Sequence, residues 1–246
     1  TGPVLERELA AGAGLGSVGK NTTLLSAEIG SWFLLGELFL TLDLEPDVPG
    51  SDLCGTCAQC LEACPTGALP EPYRLDSRLC ISYWTIEHRG AIPIDVRPLL
   101  GEWVFGCDIC QEVCPINTDL VPADHAEFQL PNGRASLDLA GLLGLEREEY
   151  TEIFRGSPMK RAKLEGLQRN AALAMGNSAS PKYTEPLIGA LVQGATLVRQ
   201  HAAWALGRIG CGKALEALRE ALNSEPEPEV RAEIQAALQD SGVKTR

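Results

Sequence analysis

The chain has 246 residues, enough for one large or two modest domains, and 45% of them are apolar, as in an ordinary globular protein. No run of about 18 apolar residues occurs and no secretory leader is visible, so neither a membrane-spanning helix nor export is expected. The net charge of −12 argues against nonspecific nucleic-acid binding by the whole chain. The charge is uneven, however: residues 1–150 carry 23 acidic and 8 basic side chains, and residues 151–246 carry 10 and 13.

Chain order begins with "TGPVLERELA", which opens on Thr1 rather than Met and reads as mid-domain sequence; a longer parent protein is expected. Residues 4–11 predict a short helix. The turn "GAGLGSVGKNTTLL" follows, then "SWFLLGELFLTL" over residues 31–42, where periodicity permits either a strand or a buried helix. "DLEPDVPGSD" is a Pro/Asp/Gly loop. Cysteines then dominate residues 54–115. A polar loop with Pro131, Asn132 and Gly133 leads to Ser136, a candidate N-cap for a helix in "SLDLAGLLGLEREEYTEIF". From about residue 160 the segments "RNAALAMGNSASPKYTEPLIGAL" and "RQHAAWALGRIGCGKALEALREAL" share one frame, and "VRAEIQAAL" begins a third copy. Arg169, Arg199 and Arg231 mark that period, which predicts stacked, HEAT-like helix pairs.

Eight of the nine cysteines fall between Cys54 and Cys114 at metal-ligand spacings, which favours metal binding in a reducing, cytoplasmic compartment over disulfides. "CGTCAQCLEACP" matches the ferredoxin run C-x2-C-x2-C-x3-C-P in full. Two-residue gaps let consecutive thiolates converge on one cubane, and the fourth cysteine of such a run serves the other cluster. Four thiolates also suit zinc, but zinc knuckles lack the third close cysteine and the C-P ending. "VFGCDICQEVCP" repeats the run with Val104 where its first cysteine belongs. The crossing rule then places Cys54, Cys57, Cys60 and Cys114 on one 4Fe–4S cluster. Cys64, Cys107 and Cys110 share the other, with Cys80, the one unassigned cysteine of the region, in the place vacated at Val104. Cys211 reads as a structural thiol.

"GLGSVGKN" imitates two nucleotide-binding fingerprints and satisfies neither. Asn21 stands where the P-loop needs Ser or Thr, and a helical pattern precedes it where the dinucleotide motif needs a strand. Its glycines still permit close approach of the backbone to a large ligand. Arg155, Lys160, Arg161, Lys163 and Arg169 cluster against Glu165 alone. Spacing leaves open whether they form a solvated helix face or contact nucleic-acid phosphates.

Together these segments resemble the epoxyqueuosine reductases, cobalamin-dependent iron–sulfur enzymes of the last step of queuosine synthesis on tRNA. The residues that carry the resemblance are "TGPVLERELAAGAGLG", "GKNT", "GSWFLLGELFL", "CGTCAQCLEACPTGAL", "LDSRLCISYWTIEHRG", "GCDICQEVCPIN" and "GSPMKRAKLEGLQRNAA". Ser17-Val18 departs locally from the family's aromatic–aliphatic pair. The fold class expected is α+β, with three parts. Residues 1–48 would be the end of a cobalamin-binding reductase domain, 49–130 a ferredoxin-like domain with two 4Fe–4S clusters, and 131–246 an all-α HEAT-like repeat domain. The resemblance implies electron flow through the clusters to a low-valent cobalt, which attacks the epoxide or relays electrons to it. It implies cobalamin contacts at Lys20, Asn21, Leu24, Ile81, Ser82, Cys107 and Asp108, and tRNA contacts at Lys160, Arg161, Lys163, Arg169 and Arg199. It places the catalytic acid, an aspartate, just ahead of Thr1, so no catalytic residue is expected within the chain. A reductant protein, a monomer and no membrane partner complete the expectation. Two rivals are a reductive dehalogenase-like enzyme, which the helical repeats disfavour, and a ferredoxin-like carrier with a protein-binding repeat domain.

Overall fold

The structure, a computed structural model, describes residues 4–121, 125 and 138–243. It divides into two compact units, Thr1–Cys80 with Cys107–Gln129, and Ile81–Gly106 with Leu130–Arg246. This differs from the three-part division expected from sequence in two ways. Residues 1–48 belong to the cysteine-bearing unit, and residues 81–106 belong to the helical unit although they lie between two cysteine runs. The physical reason for the second difference is a set of hydrogen bonds from repeat helices to the backbone of 81–106, described below.

The first unit has little regular structure. Helix α1 (Glu6–Gly12) forms where the sequence predicts it. The glycine-rich turn is a hairpin, in which β1 (Ser17–Val18) pairs antiparallel with β2 (Leu24–Leu25). Gly16 and Gly50 let three backbone segments touch, because a Cβ on Gly16 would run into the Leu25 carbonyl and one on Gly50 into the Gly16 carbonyl. The close approach anticipated for a ligand is therefore made to the chain itself. Residues 31–42 are neither strand nor helix. Leu34, Leu38 and Phe39 are more than four-fifths exposed, and among the described residues no strand offers this segment the backbone groups that a ladder needs. Two short helices, α2 (Gln59–Ala63) and α3 (Ile109–Glu112), each carry the third position of a cysteine run and stop before Cys64-Pro65 and Cys114-Pro115.

The second unit is built on helices. Ser136 lies outside the described residues; the cap of α4 (Leu139–Leu143) is Asp138, whose carboxylate accepts from the Ala140 and Gly141 amides. Helix α5 (Arg147–Ile153) starts with a capping box between Glu146 and Glu149. The repeats are α6 (Leu164–Ser178) with α7 (Thr184–Gln193), α8 (Thr196–Ile209) with α9 (Gly212–Ser224), and α10 (Pro228–Val243). Their core is rich in small residues: Ala171, Ala172, Ala174, Ala202, Ala203 and Ala205 are fully buried beside Leu167, Leu173, Leu206 and Ile234. Glycine permits the closest crossings. A Cβ on Gly176 of α6 would lie 2.6 Å from the Trp204 ring of α8, and one on Gly207 of α8 would lie 2.7 Å from the Ala237 Cβ of α10. No helix among the described residues is long and apolar enough to cross a membrane.

Candidate iron–sulfur sites

All eight clustered cysteines fall in the first unit, and all are half-buried and outside any disulfide. Cys54, Cys57, Cys60 and Cys114 line one cavity of about 70 Å³ with Lys20, Asn21, Leu25, Leu53, Pro115 and Ile116. That is far below the several hundred Å³ of an organic cofactor pocket. Burial first, and then the neighbouring Cys54 and Cys114 thiolates, pushes the Cys60 thiol up. The three closely spaced cysteines of the first run therefore share electrostatic surroundings with the last cysteine of the second run. Among the described residues no three Cys, His, Asp or Glu side chains close on a point as a single ion demands.

The remaining four cysteines form a second neighbourhood. Cys107 is pushed up by burial and then by Cys80 and Cys64. Cys110 reaches about 12, through burial first and then Cys107, Cys80, Cys60 and Cys64. Cys64 moves the other way: burial raises it, but the Thr66, Ala68 and Leu69 amides and the Thr66 hydroxyl outweigh that and lower it. Raised thiol pKa values mean that the ligands shed protons as they take metal, so loading is favoured by higher pH.

Backbone and side-chain donors brace both groups. The Lys20 amide donates to Cys54 Sγ at 3.3 Å and the Ala68 amide to Cys64 Sγ at 3.3 Å, the kind of N–H···S bond that tunes a cluster's potential. Lys20 Nζ donates to the Gly55 and Cys57 carbonyls, each at 2.7 Å. Asn21 Nδ2 donates to the Cys110 carbonyl at 3.1 Å, joining the hairpin turn to the second run. Asn117, which the sequence did not single out, donates to Ser31 Oγ at 2.8 Å and to the Gln111 carbonyl at 2.7 Å, and its Oδ1 accepts from the Ser31 amide. Its place two residues beyond a C-P pair was the available signal.

The residues expected around cobalamin separate. Lys20 Nζ and Asn21 Nδ2 donate to carbonyls of the cysteine loops, Asn21 Oδ1 accepts from Thr23, and Leu24 is 4% exposed, so all three side chains make contacts within the first unit. Cys107 sits in the second thiol neighbourhood. Asp108 is exposed and accepts from Gln111 Nε2 at 3.2 Å. Ile81, which is buried, and Ser82, which is half-buried, belong to the other unit.

The expected tRNA contacts also divide. Arg169 is fully buried; its guanidinium donates to the carbonyls of Trp84 (2.8 Å), His88 (3.0 Å) and Gly90 (2.8 Å), so it does not meet a phosphate. Arg199 donates to Glu225 at 2.8 and 3.0 Å and to the Gly194 carbonyl at 3.0 Å, inside the repeat. Arg161 pairs with Glu87 on the surface. Lys160 is half-buried, and Lys163 is exposed at a left-handed backbone position, φ +66°, where α6 begins. Lys163, Arg89 and Arg147 line a cleft of about 290 Å³ with Glu165 as its acidic member.

Two runs of cysteines that exchange their last members, followed by stacked helix pairs, define a double-cluster iron–sulfur protein with helical repeats. Residues 53–117 match the 4Fe–4S double cluster binding domain and residues 161–239 match HEAT repeats. The chain is a relative of the epoxyqueuosine reductases over the part of them that it spans. It is 46% identical to the epoxyqueuosine reductase of Pseudomonas aeruginosa over 213 residues, 85% of this chain and 58% of that protein. It is 43% identical to that of Xanthomonas campestris over 212 residues, 85% of this chain and 59% of that protein. The crystal structure of an epoxyqueuosine reductase with a tRNA-Tyr epoxyqueuosine-modified stem loop superposes with a TM-score of 0.93 at 34% identity, covering 98% of this chain and 64% of the other. The chain thus spans somewhat under two thirds of the proteins it matches.

Proposed function

We propose that this chain carries the electron-transfer and RNA-holding parts of an epoxyqueuosine reductase, reducing epoxyqueuosine to queuosine in tRNA in the cytoplasm. The observation that carries the reading is the cavity shared by Cys54, Cys57, Cys60 and Cys114, because a ligand exchanged between two runs is the design of a two-cluster site. On this reading Cys64, Cys80, Cys107 and Cys110 hold the second cluster. Bound there, the two clusters would supply one-electron transfer, and cobalamin would supply a reducible cobalt centre. The chain's own part is placement. Lys20 and Asn21 tie the hairpin to both cysteine runs, and the Lys20 and Ala68 amides stabilise thiolate sulfur. Once Lys20, Asn21 and Leu24 are given to the scaffold and Cys107 to the second cluster, Ile81, Ser82 and Asp108 are the candidate cobalamin contacts left. The cationic cleft of Arg89, Arg147 and Lys163 supports an RNA-backbone contact at the start of α6. A reductant protein would supply the electrons.

The test is anaerobic reconstitution. The chain should take up about eight irons with the spectra of two cubanes, and Cys80→Ala about four. Zinc, a single cluster in the wild type, or an unchanged iron count in Cys80→Ala would defeat the assignment.

A further inference from the structure

Cys80 and Cys107 are separated by the 26 residues that belong to the helical unit, whereas Cys54, Cys57 and Cys60 lie within seven consecutive residues. Two distant ligands of one cluster need their separation set by something other than loop geometry. That segment begins with a π-helix, Tyr83–Glu87, a wide turn that is rare and marks functional positions. Within the turn Thr85 is fully buried. Its hydroxyl donates to the Ile81 carbonyl at 2.8 Å and accepts from the Gly106 amide at 3.0 Å. Ile81 follows Cys80 and Gly106 precedes Cys107, so one side chain joins the two residues that flank the two cysteines.

A second side chain doubles the clamp. Asn170 of α6 is 1% exposed, and its Nδ2 donates to the Thr85 carbonyl at 2.8 Å and to the Val104 carbonyl at 2.7 Å. Its Oδ1 accepts from Arg169 Nε at 3.0 Å and from a terminal guanidinium nitrogen at 2.9 Å. Both donors are spent and the arginine fixes which way the amide faces, so the side chain has one orientation. The clamp therefore grips Val104, the position at which a plain ferredoxin run would have its cysteine.

We propose that Thr85 and Asn170 are positioning residues for the cluster bound through Cys80 and Cys107, so that a helix of the repeat array sets the ligand geometry of one of the two clusters. The proposal rests on the two-cluster reading above and touches only one of the clusters, which leaves the other as an internal control.

The experiment compares Thr85→Val, which keeps the shape and loses the hydroxyl, with Thr85→Ser, which keeps the hydroxyl, in the anaerobically reconstituted full chain. The spectrum that survives in Cys80→Ala identifies the cluster of Cys54. In Thr85→Val the other cluster should show a changed paramagnetic spectrum and leave to a chelator about 10- to 100-fold faster, as when an outer partner of a metal ligand is removed. The cluster of Cys54 should keep its wild-type spectrum and rate, and Thr85→Ser should match wild type in both. Unchanged spectra and rates in Thr85→Val overturn the proposal. Equal loss of both clusters together with helical circular dichroism also overturns it, since Thr85 would then serve the fold at large. A wild-type chain without two clusters is read before any variant and overturns the function reading itself.

Discussion

Arg169, Arg199 and Arg231 recur at nearly one spacing, and all three guanidinium groups turn inward. Arg199 and Arg231 reach back to the Gly194 and to the Leu222 and Glu225 carbonyls just ahead of their own helices, and Arg169 reaches Trp84, His88 and Gly90. A basic residue in a repeat frame read equally well as a phosphate ligand, because spacing carries no information about which side of a helix faces carbonyls. Burial and then Arg89 lower Arg169 to about 10, so it stays charged at neutral pH, and three carbonyls depend on it. Arg169→Ala should cost at least about 3 kcal/mol, at about 1 kcal/mol or more for each carbonyl left bare. Urea unfolding of Arg169→Ala beside Lys163→Glu checks this: the exposed lysine should leave the midpoint where it is.

At the scale of elements, the glycine-rich turn shows how a motif acquires its meaning from its neighbours. "GLGSVG" became a hairpin because Gly16 must accept the Leu25 backbone on one side and Gly50 on the other. The hairpin in turn delivers Lys20 and Asn21 to the two cysteine runs. In Gly16→Ala the new methyl meets a carbonyl that cannot move without the ladder, an overpacking cost of about 1–3 kcal/mol or more. On the two-cluster reading proposed above, the cluster of Cys54, Cys57, Cys60 and Cys114 should be the first feature lost, read as a fall in iron content at a temperature at which the repeat helices remain intact by circular dichroism. Residues 31–42 offered the opposite lesson: an apolar run permitted strand or helix, and it is neither among the described residues, because local hydrophobicity does not supply a ladder partner.

At the scale of the molecule, the two units interleave in sequence, and the segment from Ile81 to Gly106 is tied to the helical unit by buried polar bonds. Arg97 donates to Glu233 of α10 at 2.7 and 2.9 Å, Asn177 of α6 to the Arg97 and Gly101 carbonyls, and His201 of α8 accepts from the Ile92 amide at 3.1 Å. His201 Nδ1 faces the Leu197 carbonyl at 2.7 Å, so the ring is neutral with its proton there. Burial first, then Arg97 and Arg169, drives its pKa to about 3, below the ordinary 6.5. Between these values the unfolded chain binds a proton that the folded chain refuses, so this contribution is complete above pH 6.5 and is lost as the pH falls toward 3. The wild type should therefore lose about 2 kcal/mol more than His201→Gln between pH 7 and pH 5, at about 1.4 kcal/mol per pH unit. Urea midpoints at the two pH values measure the difference.

The sequence by itself determined the two cysteine runs, the odd cysteine at Cys80, and the repeat frame from about residue 160. Each of these is local or periodic, and loop spacing and helical period are properties of a short stretch of chain. Only the tertiary structure decided that residues 81–106 belong with the helices, that Arg169 and Arg199 are internal, and that Lys20 and Asn21 hold cysteine loops. Those outcomes depend on which buried carbonyls lack a donor once distant segments meet. A backbone carbonyl looks the same at every position of a sequence until folding removes its water.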